Sequence, residues 1–162
     1  MLKNWKIDVL LQTTARGIVN PDGVAAILEK ALIELESEID ARVVKRLSVL
    51  FTGDSEIKLL NAHYRGKDTP TDVLSFSMLE GDDSGPRTSL GDIVISIDTA
   101  RRQAEDLQVS LEEELLRLLL HGLLHLLGFD HENVSEKEVL RMQAAEDALY
   151  NLLLPEKDSL IL

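Results

Sequence analysis

The chain has 162 residues, 44% hydrophobic and 28% charged, which suits one soluble domain with a substantial core. It contains no cysteine, which excludes a disulfide framework and a thiolate metal site and fits a reducing compartment. Its net charge of −12 excludes avid, sequence-blind nucleic-acid binding through the overall field, so any such role must rest on a local basic patch.

Asn4 to Gln12 (NWKIDVLLQ) alternates as a first strand does, and the charges in this N-terminal apolar run, without a small-residue cleavage site, do not make a signal peptide. Asn20-Pro21 is a helix N-cap followed by proline at the first helical position, and GVAAILEKALIELE continues with helical periodicity. Val43 to Thr52 (VVKRLSVLFT) predicts a second strand. Gly53-Asp54 opens a short helix through Leu59, Leu60 and His63 that stops at Gly66. Two further strands are expected over Thr71 to Met78 and Leu90 to Ile97, with EGDDSGPRTS between them as a hairpin connection. Asp98 is the expected cap of a helix through Arg101, Arg102 and Ala104. Ser110 with Glu113 and Ser135 with Glu138 form capping boxes at the heads of the last two helices.

This order of strand, helix, strand, helix, two strands and three helices predicts an α+β fold: a small mixed sheet of about four strands packed with about five helices, one of them a zincin-like histidine-bearing helix. No repeat or linker divides the sequence, so residues 1–162 read as a single domain. The most apolar segment, Leu115 to Leu127, is interrupted by Arg117, His121 and His125 and is too short and too polar to span a bilayer. A cytoplasmic protein is expected.

The stretch 121-HGLLHLLGFDH-131 carries three of the four histidines. Residues four apart share a helix face, so His121 and His125 can offer two imidazole nitrogens to one cation. Gly128 can take the left-handed conformation that ends a helix and turn the chain to bring His131 beside them. The pattern H-x-x-x-H-x-x-G-x-x-H is the ligand spacing of the metzincin class. Three histidines leave a coordination position open, as in catalytic zinc sites. A lone histidine in a leucine-rich helix is more often a core residue bonded to a neighbour; three at these intervals point to a metal. Asp130 suits an orienting role behind a ligand and an ordinary turn role equally well. Gly122 stands where zincin proteases carry their glutamate base and costs a helix about 1 kcal/mol relative to alanine. Peptide hydrolysis is therefore disfavoured.

HGLLHLLGFDH resembles the signature H-G-x-L-H-L-x-G-[YF]-D-H of the YbeY family of bacterial rRNA-maturation endoribonucleases. The resemblance extends to 61-NAHYRGKDTPTDVLSF-76, similar to N-x-x-[YF]-R-x-x-D-x-x-T-D-V-L-S-F, and to 91-GDIVIS-96. It covers most of the chain from about Thr52 onward and departs at Ser77, where proline commonly follows S-F; this change is expected to alter only the strand end. The resemblance implies a single-strand-specific, metal-dependent endoribonuclease that acts in 16S rRNA 3′-end maturation and ribosome quality control. It implies one Zn2+ (another divalent transition metal being possible) held by His121, His125 and His131, and catalytic roles for Arg65 and His121. It implies as partners single-stranded small-subunit rRNA, the ribosomal small subunit and its assembly factors, with no DNA and no membrane.

Arg65 has a guanidinium that can grip a phosphate in bidentate fashion, and it equally suits the dipole of a helix C-terminus; the resemblance selects the first role. Arg42, Lys45, Arg46, Arg101 and Arg102 are weaker candidates for a basic patch, since charges on half-exposed elements are usually solvated faces. Turn or cap roles account for Asp72 and Asp92, and a structural role for His63.

The expected reaction is metal-assisted phosphodiester cleavage, with Arg65 stabilising charge on the phosphate oxygens and either water or the RNA 2′-hydroxyl as nucleophile. Two competing readings are a non-catalytic ribosome assembly factor with a structural metal and an atypical metallohydrolase. A fourth protein ligand would favour the first; a carboxylate brought against the metal from elsewhere would favour the second.

Overall fold

Alternating apolar residues turn four short runs into one mixed sheet. Strands β1 (Lys6–Leu11) and β2 (Arg46–Thr52) pair in parallel, β3 (Val73–Ser77) forms one edge, and β4 (Gly91–Ser96) lies between β2 and β3. β4 runs parallel to β2 and antiparallel to β3, so Val9, Val49, Ile93 and Ser75 form one row across the sheet. Side chains of that row share a face. The computed structural model describes residues 5–78, 89–128 and 135–162. The connection EGDDSGPRTS lies outside them except for Ser89, and Asp130 and His131 lie outside them as well.

Among the described residues five α-helices accompany the sheet: α1 (Pro21–Glu34), α2 (Asp54–Arg65), α3 (Ile97–Leu107), α4 (Leu111–Leu126) and α5 (Glu136–Leu153). The larger core joins Val49, Phe51, Ile93 and Ile95 to leucines of α1 and α4. On the opposite face Leu74 and Val94 pack with Ile57 of α2. The α+β class, the four strands, the five helices and their order match the expectation from sequence. No helix among the described residues is long and apolar enough to cross a membrane.

Several local expectations are corrected. The second strand starts at Arg46, because the Val43 N–H closes a turn onto the Asp40 carbonyl at 3.0 Å. Asn20 sits at the head of α1, but its side chain makes no capping bond; its backbone N–H donates instead to the Leu160 carbonyl at 2.9 Å. Asp98 does not cap α3, whose N-cap is Ser96, accepting from the Thr99 N–H. The Asp98 carboxylate instead accepts from the Asp54 N–H at 2.9 Å, at the head of α2. Asp54 in turn accepts from the Ser96 hydroxyl at 2.7 Å and the Thr99 hydroxyl at 2.6 Å, and pairs with Arg102 at 2.8 Å. Two helix starts are thus locked together by exchanged carboxylates, a way of satisfying end groups that no single helix sequence announces. Ser110 and Glu113 form the expected capping box, and the Ser135 hydroxyl accepts from the Glu138 N–H.

Most of the basic-patch candidates face carboxylates. Arg42 pairs with Asp40 at 2.7 Å, Lys45 with Glu36 at 3.3 Å and Arg102 with Asp54, and Arg46 comes within 4.0 Å of Asp8.

Candidate metal and phosphate site

From Glu114 to Leu126 every residue of α4 is buried except Arg117, His121 and His125. A helix buried nearly all round belongs to a core, and here a stripe of polar residues at intervals of four reaches solvent. The stripe forms one wall of a cleft of about 240 Å³. Val73 to Ser75 of edge strand β3 line it too, and Asn61, Arg65 and Lys67 come from the end of α2.

His121 and His125 lie with their Nε2 atoms 3.0 Å apart and their ring centroids 4.5 Å apart. His121 donates from Nδ1 to Glu146 Oε1, 2.6 Å away on α5. A carboxylate behind one ring nitrogen leaves the other as a lone pair, the arrangement found behind metal-binding histidines. The donor chemistry of the pair suits zinc or a similar divalent ion. Among the described residues no cluster of three or more metal-ligating side chains occurs, and the third predicted ligand, His131, lies outside them. Gly128, with φ +92°, ends the helical segment as expected, its N–H donating to the His125 carbonyl at 3.1 Å.

Strand and helix are set in register by two serines. The Ser75 hydroxyl donates to the Gly122 carbonyl at 3.0 Å, and the Ser77 hydroxyl to the Leu126 carbonyl at 3.1 Å. Two residues of strand advance about 6.7 Å and four of helix about 6 Å, so every second serine meets every fourth carbonyl. Ser77 therefore does more than alter the strand end: its hydroxyl ties β3 to a carbonyl in the last turn of α4. Gly122 sits at the closest approach. A Cβ there would lie 3.1 Å from Ile93 Cγ2, 3.2 Å from Ser75 Oγ and 3.3 Å from Val73 Cγ2. The missing glutamate is thus a packing requirement as well as a chemical difference.

Arg65 is aimed by the end of its helix. Gly66 takes φ +70°, which glycine adopts without penalty, and its N–H closes onto the Ala62 carbonyl. Asn61, 4% exposed, donates from Nδ2 to the Thr69 carbonyl at 2.9 Å and so folds the following turn back onto α2. Arg65 then crosses to β3, donating from Nη2 to the Ser75 carbonyl at 3.2 Å.

Asp72 fills the expected turn role, accepting from the Val73 N–H at 2.8 Å, and Gln103 Nε2 donates to it at 3.2 Å. It also lines the cleft. Asp92 stands apart from the site, in a groove with Leu10, Leu50 and Phe76, and burial raises its carboxyl pKa. His63 is exposed and meets Tyr64 edge-on.

The sequence reading did not single out Glu146, Ser75, Asn61 or the pair Glu114 and Arg117. Glu146 had a signal: it lies in step with Met142, Leu149 and Leu153, the buried residues of α5, where a carboxylate needs a partner. Glu114 does the same among the leucines of α4.

The family model for endoribonuclease YbeY matches residues 11–153 of this chain. An endoribonuclease YbeY of Aquifex aeolicus is 59% identical over 92 residues, which span 57% of this chain and 60% of that protein. One from Syntrophotalea carbinolica is 42% identical over 130 residues, spanning 75% of this chain and 87% of the other. A Thermotoga maritima protein solved in solution superposes with a TM-score of 0.59 at 26% identity, over 93% of each chain.

Proposed function

The chain belongs to the YbeY endoribonuclease family, and on that premise we propose that it is a metal-dependent endoribonuclease that cuts single-stranded RNA. The observation that carries this reading is one cleft in which Arg65, from α2, faces His121 and His125, from α4. The reading assigns a zinc ion to His121, His125 and His131. Its support is the converging Nε2 pair, backed by the hydrogen bond from His121 to Glu146.

When bound, such an ion supplies Lewis-acid polarisation of the scissile phosphate and activates water near neutral pH without a carboxylate base. The protein's own groups position the substrate. Arg65 spends one N–H on the Ser75 carbonyl, which fixes the guanidinium and leaves its other donors for phosphate oxygens as charge develops there. Glu146 holds the His121 proton at Nδ1 and so keeps Nε2 a donor atom. Asp72 is the carboxylate among the described cleft residues, and it already accepts from Val73 and Gln103; the RNA 2′-hydroxyl is a nucleophile that the substrate itself brings.

The physiological substrate in this reading is the 3′ end of small-subunit ribosomal RNA, in the cytoplasm. A chain of net charge −12 gains little from long-range attraction to RNA, so the ribosomal small subunit and its assembly factors deliver the strand to the cleft. The test is cleavage of a defined single-stranded RNA by metal-confirmed protein, with and without chelator, alongside Arg65→Ala and His125→Ala. Chelator and both substitutions should abolish or strongly reduce cutting. Equal cutting by His125→Ala, or none by the wild type, would overturn the reading.

A further inference from the structure

The third member of the exposed stripe on α4 has no part in the reaction described so far. We propose that Arg117 is a second phosphate anchor, holding a phosphodiester next to the scissile one; the inference rests on the endoribonuclease reading.

Arg117 lies one helical turn before His121, about 6 Å along the axis at 1.5 Å per residue, and lines the same cleft. That offset is of the order of the step between successive phosphates in an extended strand. Its guanidinium is held in place: Nε donates to Glu114 Oε1 at 2.9 Å and Nη2 to Glu114 Oε2 at 2.6 Å. Glu114 is 1% exposed, whereas the arginine side chain is 38% exposed. A guanidinium has five N–H donors, and two serve Glu114, which leaves three for a ligand in the cleft. Asp72 approaches only to 4.0 Å, beyond hydrogen-bond distance.

If the pair only served the core, apolar residues of like volume would stabilise α4 as well or better. A carboxylate buried beneath an arginine that lines a cleft instead produces a preoriented donor fork. Because Glu114 offsets the positive charge, the fork attracts little at a distance and acts on contact. That makes it a gauge of substrate length: a dinucleotide carries a single phosphodiester and cannot occupy both this position and the one at Arg65.

The experiment compares kcat/KM on a single-stranded tetraribonucleotide with that on a dinucleotide of the same cleavable step. The wild type should favour the longer substrate by about tenfold or more, as expected for charged hydrogen bonds to one added phosphate. Removing Arg117 alone would strand the Glu114 charge, so the informative variant is Glu114→Leu with Arg117→Leu, checked by thermal unfolding. Arg117→Lys is the second variant, which keeps the buried charge pair and loses the fork. In the folded variants the length preference should fall, about tenfold for the double leucine and severalfold for lysine, with the loss in KM. An unchanged preference in both variants, in a protein that still cuts RNA, overturns the anchor and leaves the endoribonuclease reading standing. A metal-confirmed wild type that cuts neither substrate overturns both.

Discussion

His121 and Glu146 stand 2.6 Å apart, Nδ1 to Oε1, joining the histidine helix to α5 across 25 positions of sequence. The carboxylate fixes which nitrogen of the ring is free. Replacing Glu146 with glutamine keeps the shape and loses the charge, so metal affinity should fall about 10- to 100-fold. Competition with a graded chelator, read by metal content, measures this; an unchanged affinity would mean that Glu146 does not support the metal ligand.

Gly122 faces three side chains that leave little room. Alanine would gain about 1 kcal/mol of helix propensity. Against that stand two β-branched neighbours and a serine held by its hydrogen bond to the Gly122 carbonyl, each within 3.3 Å of a new Cβ. Overpacking of this kind costs about 1–3 kcal/mol, so Gly122→Ala should be mildly destabilised and Gly122→Glu much more so. Urea unfolding gives both values. Gly122→Glu restores the protease-type pattern in sequence and should still show no peptidase activity.

Asp54 carries a pH signature. Burial raises its carboxyl pKa, and the hydroxyls of Thr99 and Ser96 together with Arg102 outweigh this and hold it below the ordinary aspartate value. A carboxyl depressed by folding adds stability that is complete above its unfolded pKa of about 3.9 and is lost as pH falls through the lower folded value. Asp54→Asn should therefore cost about 1–2 kcal/mol at pH 7. The gap to the wild type should narrow only as pH drops below about 3.9 and on through the lower folded value. Denaturant midpoints across that range test it, and a gap that stays constant would place the effect in shape and not in charge.

Arg65→Lys separates charge from geometry. Lysine keeps the positive charge without the planar fork, and Arg65 reaches the cleft from a helix end pinned to β3 through the Ser75 carbonyl. If the fork stabilises the transition state, alanine should lower kcat about 10²- to 10³-fold, with lysine recovering only part of the loss. Full recovery by lysine would reduce the role to electrostatic attraction.

The sequence by itself determined the elements and the donor atoms. Leucines and valines at helical and strand spacing require a buried face, serines three residues before glutamates start helices, and histidines four apart share a helix face whatever surrounds them. These are local periodicities set by backbone geometry, so Ser110, His121, His125 and the stop at Gly66 were legible in the letters. The tertiary structure decided what those letters face. Asp98 looked like a cap for its own helix and caps another, because an unsatisfied N–H donates to whichever carboxylate the fold brings near. Arg42, Lys45 and Arg102 were weak candidates for a basic patch and sit against carboxylates, which only the fold brings near. Glu146 became the partner of His121, and Ser75 and Ser77 became the ties between strand and helix, only because α5 and β3 pack on either side of α4. Such contacts join residues far apart in the chain, and no spacing within one segment encodes them.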